Sequence, residues 1–370
     1  MKVVFIANLI NSPGGLQRMI LYQANYFISK FNYDVDIILL DQKSNDSKTT
    51  YEVNKNIKLH YLDIYKEGFF SYYEKVKKVN RVLGQLKPDI VVVCFDEVFG
   101  LYLGRFIKKK YPLIYQRHTT NNLNFISDSK SKRGSILKSF KKLLIDRAGR
   151  GYDKFVILTE EHKKDWPHLN NLHVISNPIT IDTDSDKALL ENRVVIAVGR
   201  QNPVKGYDML LKSWQSVIKR HPNWKLKIYG KFNKKLNLQS QAERLHINSN
   251  VEFHQHTNDI KTTYLDTSLL VCSSRIEGFP LAIIEAMSLG VPSVSFDCPY
   301  GPRAIIKHGE DGLLVEPNDT EKLAEALITL IENEDLRKQM GQKAQVNIQR
   351  YAPDKIMQQW KALFESVIQE

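Results

Sequence analysis

The sequence is poor in cysteine and contains no long hydrophobic run. Its three cysteines, Cys94, Cys272 and Cys298, are scattered along 370 residues and form neither a metal-ligand spacing nor a disulfide framework, as expected in a reducing cytoplasm. No run of 18 apolar residues occurs, and the most apolar stretch, residues 90–104, contains two carboxylates, so we predict no transmembrane helix. The opening MKVVFIANLI is short and lacks a small-residue cleavage site, and we expect a first strand rather than a signal peptide.

The sequence carries an excess of basic residues. Fifty-three lysines and arginines stand against 41 acidic residues, which gives a net charge of +12 and a pI near 9.3. Such a balance favours anionic partners, namely nucleic acid, a membrane surface or phosphorylated substrates. No nucleic-acid-binding motif is recognisable and the aromatic residues are not interleaved with the basic runs, so nucleic acid is the least favoured of the three.

The sharpest basic run is KSKRGSILKSFKKLLIDRAGR, residues 130–150. Its apolar residues recur at helical spacing and share one face with lysines around it: Ile136, Leu137, Phe140, Leu143 and Leu144. Two interpretations stay open, an amphipathic helix packed on its own domain and an interfacial helix drawn to anionic lipid. Three lysines at residues 108–110 form a second, smaller basic patch.

Apolar runs of strand length alternate with helical patterns, and this series occurs twice. The predicted strands are residues 3–7, 34–40, 89–95, 113–116 and 154–159 in the first series, and 193–198, 225–229, 251–254, 268–272, 292–296 and 312–315 in the second. Helices are predicted at 16–29, 208–220, 319–333, 336–350 and 353–369. The turn-rich segment 173–186 is the predicted hinge. We therefore predict an α/β protein of two Rossmann-like α/β/α domains, each with a parallel sheet.

The stretch Cys272–Gly290, CSSRIEGFPLAIIEAMSLG, holds the densest chemistry. A strand is followed by a tight Gly-Phe-Pro turn and a helical pattern from Leu281, and Glu277 and Glu285 flank the turn with seven residues between them. The first amides of a helix have no intrahelical partner and favour an anion. Carboxylates accept hydrogen bonds from hydroxyls. This combination suits a sugar joined to phosphates.

Two loops after strands carry further candidates. Gly14 and Gly15 follow the first strand, where adjacent glycines permit positive φ angles and a close approach of ligand to backbone, but the pattern is not the G-x-G-x-x-G of a dinucleotide site. The loop GRQNPVKG, residues 199–206, places Arg200 and Lys205 at the carboxyl end of a strand, where two cations could clamp a pyrophosphate.

These motifs resemble those of the retaining GT-B glycosyltransferases of family 4. The resemblance rests on E-x7-E at Glu277 and Glu285, on G-R-x-x-x-x-K-G at residues 199–206, on G-G-x-x-R at residues 14–18, and on HGEDGLLVEP at residues 308–317. It implies the GT-B fold, in which two Rossmann-like domains face each other across a cleft and a C-terminal helix crosses back. The expected domains are 1–178 with about 353–370, which binds the acceptor, and 179–352, which binds the donor.

The resemblance also implies roles for single residues. Glu277 would contact hydroxyls of the transferred sugar, Glu285 would hold the ribose, and Arg200 and Lys205 would bind the donor phosphates without a metal ion. The turn formed by Gly278, Phe279, Pro280 and Leu281 would reach the sugar or phosphate through its amides. The loop with Gly14, Gly15 and Arg18 would face the donor diphosphate. His118, at a strand end of the first domain, would lie near the anomeric carbon.

The implied reaction moves a hexose or N-acetylhexosamine from a UDP-sugar, with retention, to a saccharide acceptor. The acceptor is expected to be lipid-linked and to belong to a bacterial surface polysaccharide such as capsule, O-antigen or lipopolysaccharide, with the enzyme at the inner face of the cytoplasmic membrane. The sequence leaves open which sugar is moved and whether the nucleotide is UDP or GDP. The alternatives are a GT-B nucleotide-sugar epimerase and, least favoured, a nucleic-acid-binding protein.

Overall fold

The structure, a computed structural model, describes residues 1–46, 49–64, 69–108, 110–119, 147–183, 186–257 and 259–369. Their contacts divide the chain into two compact units. Unit 1 comprises Met1–Asn177 and Asp354–Glu370, and unit 2 comprises Pro178–Pro353. Both divisions fall one residue from the expected domain boundaries. Most of the basic run 130–150, with its predicted apolar face, and the middle of the 108–110 patch lie outside the described residues.

Unit 1 contains a seven-stranded parallel sheet in the order β3-β2-β1-β4-β5-β6-β7. Its strands are β1 (Lys2–Ala7), β2 (Asp34–Leu39), β3 (Lys58–Tyr61), β4 (Ile90–Val93), β5 (Leu113–Gln116), β6 (Lys154–Ile157) and β7 (Leu172–Val174). The described helices are α1 (Gly15–Phe31), α2 (Phe69–Leu86) and α3 (Val98–Phe106). The inner strands are almost wholly buried, as expected of a parallel sheet covered on both faces.

Two strands of unit 1 lie outside the predicted strand ranges, the edge strands β3 and β7, and β7 overlaps the predicted hinge 173–186. Strand β3, KLHY, pairs only with β2 at the edge of the sheet and is half-exposed along its length. It therefore has no continuous apolar run of the kind that marks buried strands. All the strands predicted for both units are present, and each observed end lies within two residues of the predicted end.

Unit 2 repeats the architecture with a six-stranded parallel sheet in the order β10-β9-β8-β11-β12-β13. Its strands are β8 (Val194–Val198), β9 (Lys225–Tyr229), β10 (Val251–His254), β11 (Leu269–Cys272), β12 (Ser293–Phe296) and β13 (Gly312–Val315). Its helices are α4 (Tyr207–Arg220), α5 (Leu238–Arg244), α6 (Ile260–Leu265), α7 (Leu281–Ser288), α8 (Pro302–Ile305), α9 (Thr320–Glu332) and α10 (Glu334–Asn347). The predicted pair of parallel-sheet α/β domains is confirmed.

The last helix, α11 (Pro353–Gln369), returns to unit 1. Its fully buried Phe364 contacts Phe27 of α1, with ring centroids 5.2 Å apart, and Trp360 is buried beside it. The Tyr26 hydroxyl donates a hydrogen bond to the Asp354 carboxylate at the start of the helix. The C-terminal helix is thus part of the unit 1 core, as the resemblance to the GT-B fold implied.

Truncating this contact should destabilise unit 1. We expect Phe364→Ala to lower the free energy of unfolding by about 3–5 kcal/mol, because a buried ring is lost and a cavity remains. Ile368→Ala, on the same helix at a position that is 46% exposed, should change it by about 0.5 kcal/mol or less. Urea unfolding followed by circular dichroism measures both variants, and equal effects would contradict the docking of α11.

Candidate active site

The sheet of unit 2 reverses its strand order at β8, which lies between β9 and β11. The crevice at the carboxyl ends of the strands where the order reverses, bordered here by the loops after β8 and β11, is the common ligand position in open α/β sheets. Here those loops are residues 199–206 and 273–280, which hold most of the predicted donor-binding residues. Strand order therefore unites two motifs that are far apart in the sequence.

The first loop is shaped by a cap and a glycine. The Asn202 side chain accepts a hydrogen bond from the Lys205 N–H at 3.0 Å and caps the short 3-10 turn Pro203–Lys205. Gly206 follows with a φ of +62°, in the left-handed region. A Cβ there would lie 2.1 Å from the carbonyl oxygen of Ser273, so this glycine lets the two loops touch.

Arg275 fastens the second loop to the first. Its N–H donates to the Val204 carbonyl oxygen at 2.7 Å, and its guanidinium donates to the Pro203 carbonyl oxygen at 2.6 Å. The same guanidinium binds both carboxylate oxygens of Asp208 in α4, at 2.9 and 2.7 Å. Partial burial opposes ionisation of Asp208. The pair of hydrogen bonds from the Arg275 guanidinium, called here the Arg275 fork, has the larger combined effect and lowers the pKa of that carboxyl below its usual value.

Lys205 and Glu277, both predicted site residues, form an ion pair in this crevice. Lys205 Nζ donates to Glu277 Oε1 at 2.6 Å, and the Ser274 hydroxyl donates to the same oxygen at 2.5 Å. The Ser273 hydroxyl donates a hydrogen bond to the Lys205 carbonyl oxygen at 2.9 Å. Burial disfavours the charge on Lys205, but the Glu277 carboxylate outweighs it and raises the lysine pKa, so the cation persists at neutral pH.

The other predicted donor residues of unit 2 have different environments. Arg200 is exposed on the same loop as Lys205. Glu285 lies in the second turn of α7, as predicted, but it is only 2% exposed. Its two carboxylate oxygens accept hydrogen bonds from the Thr180 hydroxyl at 2.9 Å and the Tyr264 hydroxyl at 3.2 Å. Its role in binding ribose stays a prediction.

The turn of residues 278–280 leads directly into α7, which begins at Leu281 as predicted. Pro280 is the N-cap residue, and no side chain caps the helix. The Phe279 ring is buried against the edge of the Tyr351 ring, with centroids 5.2 Å apart, and this contact holds the turn. The first amides of α7 therefore point out of an uncapped helix end that could hold an anion.

Unit 1 holds the predicted glycine loop. Gly14 is extended, with a φ of −176°, and Gly15 is the first residue of α1, so neither glycine uses the positive φ angle that its lack of a side chain would permit. The Gly14 N–H donates to the Tyr51 hydroxyl at 3.2 Å, and the Arg18 guanidinium lies 5.9 Å from the centroid of the Tyr51 ring. The loop is thus anchored to a tyrosine that the sequence prediction missed.

His118 follows β5 at the carboxyl edge of the same sheet. The backbone N–H of His118 donates to Asp96 Oδ1 at 2.9 Å, and the guanidinium of the neighbouring Arg117 donates to the Asp96 carbonyl oxygen at 2.6 Å. Its Nε2 atom is buried without a hydrogen-bond partner in the part of the chain that the structure describes. Burial lowers the pKa of His118 despite the opposing charge of Asp96, so the ring is neutral at pH 7 and could exchange a hydrogen bond with substrate.

Metal ligation was expected to be absent. Across the described residues, no three His, Cys, Asp or Glu side chains lie close enough together to hold an ion. Asp34 and Asp36, two carboxylates close in sequence, lie in the first half of β2 rather than at its carboxyl end, and Asp36 forms a hydrogen bond with His60. Metal independence stays a prediction.

Comparison with known families identifies the chain. Residues 181–347 match the group 1 glycosyl transferases, and residues 13–183 match Glycosyltransferase Family 4. An uncharacterized glycosyltransferase of Haemophilus influenzae is 31% identical over 369 residues, which cover 98% of this chain and 99% of the relative. The chain is a family 4 glycosyltransferase.

Two further relatives of this glycosyltransferase have assigned activities. The amylovoran biosynthesis glycosyltransferase AmsD of Erwinia amylovora is 27% identical, with 97% of this chain and 98% of AmsD covered. An α-1,4-N-acetyl-D-galactosaminyltransferase of Campylobacter jejuni, which acts on an undecaprenol-diphosphate-linked saccharide, is 26% identical, with 99% of both chains covered.

Solved structures confirm the predicted GT-B fold. Staphylococcus aureus TarM, solved with UDP, superposes with a TM-score of 0.81 at 18% identity and covers 98% of this glycosyltransferase and 99% of its own chain. Anabaena HepE, solved with UDP-glucose, superposes with a TM-score of 0.78 at 18% identity, with 99% and 100% covered.

Sequence reasoning found the charged residues of the unit 2 crevice but missed those that hold them. Asp208, Ser274 and Arg275 lie within or beside the recognised motifs, yet only the fold shows that they bind each other or the ion pair. Thr180 and Tyr264, the partners of Glu285, come from segments far from it in sequence. No spacing rule could have marked them.

The glycine between the two loops can be tested against a matched glycine. Gly309 has a similar φ of +76°, but no atom lies within 4 Å of the position of a Cβ. We expect Gly309→Ala to cost about 1–2 kcal/mol of unfolding free energy from backbone strain alone. Gly206→Ala should cost more, because its Cβ also meets a backbone carbonyl. Equal losses in urea unfolding would show that the loops do not touch there.

The Arg275 fork predicts a pH-dependent stability. Asp208 has a lowered pKa in the folded state, so its stabilisation is present above the unfolded value of about 3.9 and is lost as the pH falls through the folded value. We expect Arg275→Ala to cost about 1–2 kcal/mol at pH 7, since the fork is partly solvent-screened, and the difference from wild type to shrink below about pH 4.

Urea unfolding between pH 7 and pH 3 measures this difference. Arg220→Ala, which removes a more exposed ion pair with Glu332, is the matched control and should cost less than about 1 kcal/mol at every pH. A pH-independent loss in Arg275→Ala would show that the Asp208 charge does not contribute.

Proposed function

We propose that this glycosyltransferase moves a hexose or N-acetylhexosamine from a UDP-sugar to a saccharide acceptor with retention of anomeric configuration. The observation that carries the proposal is the Lys205–Glu277 pair, fixed at the switch point of the unit 2 sheet beside the uncapped start of α7. A cation and free amides suit a diphosphate, and a carboxylate next to them suits the hydroxyls of the attached sugar.

Solved relatives support the identity of the donor. TarM was solved with UDP and HepE with UDP-glucose, and both share the fold of this chain. In our proposal the diphosphate lies against Lys205, Arg200 and the first amides of α7, while Glu277 orients the sugar. No metal ion is required, because the fixed cations supply the charge that a divalent ion would give.

The chemistry follows from where charge develops. As the glycosidic bond breaks, negative charge grows on the leaving diphosphate, and Lys205 and Arg200 stabilise it, each by about 2–4 kcal/mol by analogy with single oxyanion-hole donors. Retention follows when the acceptor hydroxyl attacks from the face that the diphosphate leaves, and the leaving phosphate takes its proton. The neutral His118 of unit 1 is proposed to hydrogen-bond the sugar near its anomeric carbon.

Named relatives support an acceptor in a surface polysaccharide. AmsD serves amylovoran biosynthesis, and the Campylobacter jejuni relative extends a saccharide on undecaprenol diphosphate. Among the described residues no helix is both long and apolar enough to cross a bilayer. We propose a lipid-linked acceptor and a peripheral position at the inner face of the cytoplasmic membrane, where a net charge of +12 favours anionic headgroups.

A donor panel tests the proposal. Purified protein is incubated with each common UDP- and GDP-sugar, with and without EDTA, and nucleotide release is measured. We expect slow hydrolysis of one UDP-sugar that survives EDTA and falls by about 100- to 1,000-fold in Lys205→Ala. Lys219→Ala, an exposed lysine at the far end of α4, is the control and should keep the wild-type rate.

The outcomes separate the rival functions. Release that requires a divalent ion would remove the cation-clamp mechanism. Free nucleotide accompanied by an isomerised sugar would indicate an epimerase. If no donor is hydrolysed, calorimetry with UDP and GDP decides, and a lack of binding to either would refute the proposed donor site. Unfolding curves of Lys205→Ala must match wild type for its loss to count as catalytic, since removing the lysine leaves Glu277 unpaired.

A further inference from the structure

An aromatic cluster outside the predicted site lies at the carboxyl edge of the unit 1 sheet. Tyr72, near the start of α2, contacts Phe99, near the start of α3, with ring centroids 4.9 Å apart and planes tilted by 40°. Phe99 in turn lies 6.1 Å from Phe95, which follows β4 and precedes Asp96. Tyr72 is 46% exposed, so one side of this platform is open to solvent.

The platform stands where the unit 1 sheet reverses its strand order. Strand β1 lies between β2 and β4, so the carboxyl ends of β1 and β4 mark a switch point like that of unit 2. The residues that follow β4 carry both the platform, through Phe99, and the Asp96 carboxylate that binds the His118 amide. Asp96 and Phe99 thus belong to one segment that leaves β4 at the carboxyl edge of the sheet, and His118 follows β5 at the same edge.

A charged pair completes the cluster. Lys75 Nζ donates to the Asp41 carboxylate, which follows β2, and lies 5.9 Å from the centroids of both the Tyr72 and the Phe99 rings. The lysine is nearly buried, whereas the carboxylate is 39% exposed. Flat apolar faces thus adjoin an accessible acceptor of hydrogen bonds.

We propose that Tyr72, Phe99 and Asp41 form a subsite for a pyranose ring of the acceptor saccharide, an inference that rests on the proposed function. The C–H face of a pyranose is apolar and packs on aromatic rings, while its hydroxyls donate to carboxylates. Asp41 accepts from a ring hydroxyl, and Lys75 holds Asp41 in place. The subsite binds the sugar that presents its hydroxyl toward His118.

Charge favours a sugar over a lipid surface at this position. The exposed residues around the platform include the carboxylates of Asp41 and Glu97, which would repel anionic headgroups. Phe106, another exposed aromatic residue of unit 1, lies at the opposite end of α3 from Phe99, beside the cations Arg105 and Lys108. It therefore offers a control that separates membrane contact from saccharide contact.

The experiment uses the whole chain and the α- and β-methyl glycosides of glucose, galactose, N-acetylglucosamine and N-acetylgalactosamine. Saturation-transfer NMR detects binding through the pyranose C–H protons. The increase in the rate of UDP release when the glycoside is added gives the KM and kcat of transfer to that glycoside. We expect Tyr72→Ala to weaken binding of the preferred glycoside and raise its KM about tenfold. Tyr72→Phe and Phe106→Ala should keep the wild-type KM, and donor hydrolysis without glycoside should stay within about twofold in all three.

Each outcome decides the proposal. An unchanged KM and NMR signal in Tyr72→Ala, or no binding of any glycoside to wild type, would overturn it. Loss of co-sedimentation with anionic phosphatidylglycerol vesicles in both Tyr72→Ala and Phe106→Ala, with the KM unchanged, would assign the face to the membrane instead. If wild type neither hydrolyses a donor nor binds UDP or GDP, the proposed function fails by itself, and the NMR comparison of wild type with Tyr72→Ala still tests the platform.

Discussion

The ion pair between Lys205 and Glu277 is the interaction on which the unit 2 crevice depends. Each group is largely buried, and either one alone would bear an uncompensated charge at a desolvated position. The pair exists only because Gly206 brings the two loops into contact and Arg275 binds the backbone of the first loop. Backbone conformation, loop packing and charge therefore form one arrangement, and a change in any of them alters the position of the cation.

The same pairing defines how the cation can act on a diphosphate. An unpaired buried lysine would lose its proton readily, whereas Glu277 raises the pKa of Lys205 and keeps it charged. A phosphate bound at the proposed donor site would share the Lys205 ammonium group with Glu277, which already accepts a hydrogen bond from one of its three N–H groups. The interaction can strengthen as negative charge grows on the leaving group, which is the property that favours a transition state over a ground state.

Much of the fold could be predicted from the sequence because buried parallel strands are continuous apolar runs. Strand β3 was missed because it is a half-exposed edge strand and has no such run. The charged residues of the crevice could also be predicted, because they recur at fixed spacings within a strand, turn and helix pattern. Their partners could not. Arg275 binds Asp208 only after β8 and β11 become neighbours, and Glu285 accepts a hydrogen bond from Thr180, in the segment before β8. The extended backbone of Gly14 shows that glycine permits a positive φ angle without requiring it.

The net charge of +12 is not shared equally by the two units. Unit 1 contains 31 basic and 20 acidic residues, whereas unit 2 contains 22 and 21, so the charges are +11 and +1. A nearly neutral unit cannot attract a diphosphate by its overall field, so the proposed donor site must rely on the placement of individual cations. The strongly basic unit can draw an anionic acceptor or lipid surface from a distance, but a diffuse field does not select among sugars. Selection there requires directed contacts at short range, such as aromatic faces and a fixed carboxylate.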